Sequence, residues 1–263
     1  MTELLAPAKI NLALVVGPTR PDGRHEVATV LQRISLADRI GLEPADELSV
    51  EGFAEDTLVL RALEALAAAA EVPPRWLVTI EKQIPVAAGL GGGSSDAAAA
   101  LRLANWTLRR PRSDRALHEL AAGLGADVPF FLTTGPQLGE GDGTDLSPLE
   151  VPQDYWILLV LPHGERKAST GAVYDAFTGE EGFEDRRAAL LRALALGDLA
   201  GMPPNDLASS PLAERLRAHG AFRADVSGAG PTVYGLFAEQ DQALAAHAAL
   251  AGEGQAWVAA PAW

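Results

Sequence analysis

The chain has 263 residues, 48% of them hydrophobic, which is enough to bury a large core as one big domain or two modest ones. Its 21 lysines and arginines against 35 aspartates and glutamates leave a formal charge of -14 spread along the sequence; this speaks against a surface built for nucleic acid or anionic lipid and leaves substrate phosphates to local backbone amides and a few cations. With no cysteine there are no disulfides, thiolate nucleophiles or cysteine metal sites, and with neither a signal-peptide pattern nor an apolar run near the roughly 20 residues of a membrane span, a cytoplasmic protein is expected.

In chain order, residues 9–16 alternate and are rich in branched side chains, so a strand is expected there, followed by a polar turn over 18–23 and a second strand over 26–34. Residues 57–70 have helical spacing at Leu58, Leu60, Leu63 and Leu66. The run 76–84 has a strand's composition and Pro85 ends it. A helix over 114–124 stops at Gly125. Residues 134–152 are dense in Gly, Asp and Pro, and a domain boundary is expected near residue 150, separating domains over 1–150 and 151–263. Beyond it come a buried strand over 156–161, helices over 183–199 and 211–218, a strand over 233–237 and a helix over 243–250. Strands interrupted by helices in both halves, without internal repeats, indicate an α+β architecture.

The segment GLGGGSSDAAAAL, residues 89–101, sets four glycines and two serines against an alanine-rich helix. Lacking Cβ atoms, Gly89, Gly91, Gly92 and Gly93 can take positive φ and bring backbone N–H groups onto a ligand. Ser94 and Ser95 are expected to cap the helix, whose first N–H groups and positive dipole end then face the same space. A phosphate is the expected occupant. A P-loop would need lysine after its last glycine, and the dinucleotide fingerprint a glycine where Ser94 stands, so neither motif is present. The bland alternative is a flexible turn, which would have no use for two capping serines and an immediate helix.

Asp127 lies between Gly125 and the apolar run 128–132, where partial burial would suit a general base; closing a turn beside Gly and Pro is an equal alternative on the residues alone. Lys9 is flanked by Pro7, Ala8 and Ile10 in an apolar stretch, although a lone lysine is usually a solvated charge. Asn11 shares its strand face and can bond substrate hydroxyls. The loop SGAGPTVYG, 227–235, is either a closure over a site or a tight packing joint.

PAKINL at 7–12, RPDGRHE at 20–26, the glycine loop, GADVPFF at 125–131 and SGAGPTVYGLF at 227–237 together resemble the kinase superfamily that contains galactokinase, homoserine kinase and mevalonate kinase (GHMP kinases). The resemblance spans residues 6–237; PAKINL, RPDG-x-HE and GADVPFF narrow it to the branch that phosphorylates the 2-hydroxyl of a cytidine-diphosphate-linked methylerythritol. It implies a ribosomal-protein S5 type ATP-binding domain followed by a ferredoxin-like domain. ATP would lie on Pro85, Val86, Ala87, Ala88, Gly89, Leu90, Gly91, Gly92, Gly93, Ser94 and Ser95, with Lys82 either reaching the adenine or, equally, standing as an exposed strand-end lysine. Asp127 would be the catalytic base and Lys9 its cationic partner. Asn11, Arg24, His25, Thr170 and Tyr174 would hold the substrate. Mg2+ is implied with ATP; its ligands are left open, Ser94 or Ser95 being candidates. The expected partner is the small-molecule substrate, with no nucleic acid, membrane or obligate protein partner. Two departures stand out: Arg24 occupies the place of a usual aromatic, and Thr57 that of a frequent asparagine. The alternatives are a mevalonate- or homoserine-type kinase, and a catalytically silent ligand-binding regulator of the same fold.

Overall fold

The computed structural model describes residues 2–53, 57–165, 169–179 and 181–263. In chain order its first half comprises β1 (Thr2–Thr19), β2 (His25–Pro44), β3 (Ser49–Glu51), α1 (Thr57–Ala70), β4 (Trp76–Glu81), α2 (Gly92–Thr107), α3 (Asp114–Leu124), a 3-10 turn (Pro129–Leu132), β5 (Gln137–Glu140) and β6 (Asp145–Pro148). There follow β7 (Trp156–Pro162), α4 (Thr170–Asp175), α5 (Phe183–Ala195), α6 (Pro211–Ala218), β8 (Arg223–Val226), β9 (Val233–Phe237), α7 (Gln240–Ala249), β10 (Gly254–Ala259) and β11 (Pro261–Ala262). These elements form two compact units, each gathering separate stretches of chain.

The first unit holds residues 1–8, 36–86 and 91–134. The C-terminal half of β2 pairs antiparallel with β4, Ile40 opposite Ile80, and β3 pairs parallel on the far side of β4. Helix α1 buries Val59, Ala62, Leu63, Leu66 and Ala67, the spacing of a single helix face. That face is rotated from the expected one: Val59 is core, whereas Leu58 and Leu60 are only partly buried. Helix α2 is buried along nearly its whole length from Ser95 to Asn105, and its alanines let α1 pack closely against it.

The second unit holds residues 9–35, 87–90 and 135–263. Here the N-terminal half of β2 pairs with β5, Thr29 opposite Gly139, and β5 forms a hairpin with β6. A separate antiparallel sheet has the order β10-β7-β9-β8. With α6 between β7 and β8 and α7 between β9 and β10, this is the ferredoxin-like arrangement. Leu158, Val160, Leu216, Val226, Val233, Phe237, Ala246 and Leu250 form the core between that sheet and its two helices. No helix among the described residues is long and apolar enough to cross a membrane.

Candidate active site

Within the second unit, β1 carries Lys9 and Asn11 on one face, both buried. Alternation along the strand makes them neighbours, and the Lys9 Nζ donates to Asn11 Oδ1 at 2.7 Å. The Asn11 amide nitrogen donates to Thr29 Oγ1 on β2 at 2.8 Å. Two loops close on this pair. The backbone N–H of Lys9 donates to the Leu90 carbonyl at 2.9 Å, and the Ser227 hydroxyl donates to the Gly89 carbonyl at 3.1 Å. Gly228, at φ 57°, lies so close that a Cβ there would come 3.2 Å from Asn11 Oδ1 and 3.5 Å from Lys9 Nζ. The SGAGPT loop is therefore packed on both the glycine segment 87–90 and the lysine.

The RPDGRHE segment turns at 20–24 and enters β2 at His25. His25 Nδ1 lies 2.8 Å from the Gly17 carbonyl, which only accepts, so Nδ1 carries the proton and Nε2 of the neutral ring is left as an acceptor. Tyr174 and Phe177 flank the imidazole, each with ring centroid 5.9 Å away, the latter edge-on. Thr170 opens α4 and is exposed; Ser169 caps that helix by accepting from the Ala172 amide. The guanidinium of Arg24 is paired with Asp142 in the β5–β6 turn. Burial pulls the Asp142 carboxyl up, but hydrogen bonds from the Thr144 hydroxyl and amide and from Arg24 outweigh it and hold it below the ordinary aspartate value.

Within the first unit, α2 begins at Gly92, with Gly91 as N-cap at φ 71°. The expectation that Ser94 and Ser95 cap this helix is corrected: both lie inside its first turn, and no side chain caps it. Gly91, in the left-handed region, turns the chain into the helix three residues before Ser94, so Gly92 and Gly93 are helical and the amides of Gly92, Gly93 and Ser94 precede the first intrahelical bond, from Ser95 N–H to Gly91. The Ser95 hydroxyl is buried without a hydrogen-bond partner. Pro85 and Val86 lead into the loop, with Val86 exposed, and Ala87 takes φ 57°. Ala87 and Ala88 already belong to the second unit, where Ala88 is buried and its carbonyl accepts from the Thr232 amide.

Lys82, just past β4, has its ammonium held by Asp38 Oδ2 at 2.6 Å and Asp96 Oδ2 at 2.8 Å. Both carboxylate side chains are 0% exposed, and Asp38 Oδ1 also accepts from the amides of Gln83 and Ile84. Burial would lower the lysine, but the two carboxylates outweigh it and raise its pKa above the usual value. Asp127 is half-buried in the turn joining α3 to the 3-10 segment, a turn closed by Val128 N–H on the Gly125 carbonyl.

Four participants escaped sequence reasoning. Thr29 was findable, since it shares strand parity with His25 on β2. Phe177 follows Tyr174 by one helical turn. Asp38 and Asp142 gave no local signal, because each acquires its role from a cation distant in sequence.

Residues 57–135 match the GHMP kinases N terminal domain and residues 205–256 the GHMP kinases C terminal domain. The chain is 36% identical over 271 residues to the 4-diphosphocytidyl-2-C-methyl-D-erythritol kinase of Syntrophus aciditrophicus (strain SB), covering 97% of this chain and 96% of that one. It is 41% identical to the enzyme of that name from Nocardia farcinica (strain IFM 10152), covering 95% and 90% of the two chains. A crystal structure of 4-(cytidine 5'-diphospho)-2C-methyl-D-erythritol kinase superposes over the whole of both chains with TM-score 0.84 and 35% identity. Its fold, its glycine loop and its whole-length likeness agree, and the chain belongs to the 4-diphosphocytidyl-2-C-methyl-D-erythritol kinase family of the GHMP kinases.

Proposed function

We propose that this protein transfers the γ-phosphoryl group of ATP to the 2-hydroxyl of 4-diphosphocytidyl-2-C-methyl-D-erythritol. The observation that carries the substrate reading is likeness over nearly the entire chain to relatives of that name, which includes the motifs outside the glycine loop. We place ATP binding in the part of the chain before residue 150, with a substrate-side domain after it; the two GHMP matches fall on either side. A cytoplasmic setting, where ATP is at hand, suits this chemistry.

As the new bond forms between the hydroxyl oxygen and the γ-phosphorus, the bond to the β–γ bridging oxygen breaks and ADP leaves. Asp127 takes the hydroxyl proton, and the Lys9 ammonium offsets charge building on the attacking oxygen. Free amides at the start of α2 and the segment 85–95 receive the triphosphate. Lys82 supports that segment through its two aspartates. The Ser95 hydroxyl, buried and without a partner, is an oxygen ligand of the kind magnesium takes, and Ser94 stands beside it. Bound magnesium would neutralise phosphate charge and fix its orientation.

For the nucleotide end, the free acceptor at His25 Nε2 suits the exocyclic amino group of cytosine, with Tyr174 supplying an aromatic face. Arg24, held by Asp142, presents a guanidinium plane where relatives usually stack an aromatic. Asn11 and Thr170 offer hydrogen bonds to substrate hydroxyls. The test is ADP release with a substrate panel. The cytidylylated methylerythritol should give turnover at least a hundredfold above mevalonate or homoserine; equal turnover would reject the substrate assignment, and none with any would favour a ligand-binding regulator.

A further inference from the structure

We infer that Thr29 is a positioning residue of the phosphoryl transfer, fixing the Lys9 ammonium through the side chain of Asn11. The inference rests on Lys9 being the reaction-centre cation.

The polarity of the chain of hydrogen bonds follows from counting protons. The Thr29 hydroxyl has one proton, and it goes to the Ala13 carbonyl at 2.8 Å, a group that can only accept. The lone pairs of Thr29 Oγ1 are therefore what faces Asn11, and only the NH2 end of the amide can meet them, at 2.8 Å. That choice turns the carbonyl end of Asn11 to the other side, where it accepts from Lys9 Nζ at 2.7 Å. Were the amide reversed, NH2 would face NH3+, two donors with nothing between them. All three side chains are buried, so water cannot make up for a wrong orientation.

The sheet holds the hydroxyl in place. Thr29 pairs with Gly139 across β2 and β5, and its methyl lies 3.1 Å from where a Cβ on residue 139 would be. The bare glycine gives the Thr29 methyl its space, and the opposite rotamer direction is left to the hydroxyl. On the far side, the close approach of Gly228 to Asn11 Oδ1 and Lys9 Nζ limits where the ammonium can move. Sheet register thus sets Thr29, Thr29 sets the Asn11 amide, and the amide sets the lysine.

The experiment compares kcat and KM for both ATP and the cytidylylated methylerythritol, together with Tm, in Thr29→Val, Thr29→Ser, Asn11→Ala, the Thr29→Val/Asn11→Ala double variant and Lys9→Met. Thr29→Val keeps the shape and removes the hydroxyl. It should lower kcat by on the order of tenfold or more while both KM values stay within about threefold. Thr29→Ser should recover most of the rate, and the double variant should be no slower than Asn11→Ala alone. Fully additive losses, or an unchanged kcat in Thr29→Val, would overturn the inference. If Thr29→Val does not fold by circular dichroism, Thr29→Ala carries the same comparisons. A Lys9→Met protein that keeps its rate would reject the reading of Lys9, and with it this inference; loss of rate in Lys9→Met with none in Thr29→Val rejects the inference alone.

Discussion

One ammonium at Lys82 is shared by two carboxylates whose side chains have no access to water. Remove it and both lose their cation inside the protein, where water does not replace it, which costs more than an exposed ion pair is worth. Lys82→Met should lose about 3 kcal/mol, the low end for such a break since the lysine itself stays 17% exposed. In a chain of this size that lowers Tm by on the order of 10 °C, measurable by calorimetry. Because the folded pKa of Lys82 is raised, its contribution is complete below the unfolded value of 10.5 and is lost only as pH rises through the higher folded one. The gap in Tm between parent and variant should therefore be flat across neutral pH and close only in alkali. A Tm within about 2 °C of the parent at neutral pH would mean the aspartates find other partners. In the sequence, Lys82 resembled any strand-end lysine; its two partners lie 44 and 14 residues away, and only folding joins them.

Elements show how a glycine's surroundings, and not only its torsion, decide its tolerance. Gly89 and Gly23 sit at nearly the same φ, 81° and 82°, so an alanine at either carries the same backbone strain of about 1 kcal/mol. A Cβ on Gly23 would meet nothing within 4 Å, whereas one on Gly89 would fall 2.5 Å from the Ser227 carbonyl oxygen and 2.8 Å from that of Gly230. Those are backbone atoms of the SGAGPT loop and cannot swing aside. Gly89→Ala should thus lower Tm several degrees more than Gly23→Ala, and only Gly89→Ala should raise KM for ATP, by about tenfold or more, as the two loops are pushed apart; equal effects would show that strain alone matters. Helices at 57–70, 114–124 and 211–218 have the bounds expected from the sequence; Ser113 and Gly125 close the ends of the second, while in the first the length was legible although the buried face was not. The helix from 183 stops at Ala195 and not 199, since Gly197 reverses the chain at φ 65°. The second half of β2 was missed because Asp38 occupies an inward position, on the same strand face as buried Ile40, and so breaks the apolar alternation. Strands β5 and β6, four residues each, are too short for a period-2 pattern to stand out among glycines and aspartates.

For the whole molecule, the excess of fourteen negative charges acts everywhere at once. In a folded chain of this size, charges lie on the order of 20 Å apart, and each like pair repels by about 0.2 kcal/mol in unscreened water. Fourteen excess charges make about ninety such pairs, so repulsion amounts to several kcal/mol at low salt even after allowing for the smaller repulsion that survives in the expanded unfolded chain. Against this stand exposed pairs such as Arg115–Glu119, Arg215–Glu253 and Arg217–Glu214, which water and salt screen and which therefore add little. The buried Lys82 cluster responds little to salt, because ions do not reach it. Raising ionic strength from about 0.01 M to about 0.15 M shortens the screening length from about 30 Å to about 8 Å, which removes most long-range repulsion while leaving contacts at 3 Å largely intact. Tm should accordingly rise by a few degrees over that range in sodium chloride and then level off, since little long-range repulsion remains to be screened. A Tm that falls with added salt would mean that favourable surface pairs outweigh the net charge, and that the acidic excess is arranged so that opposite charges lie closer together than like ones.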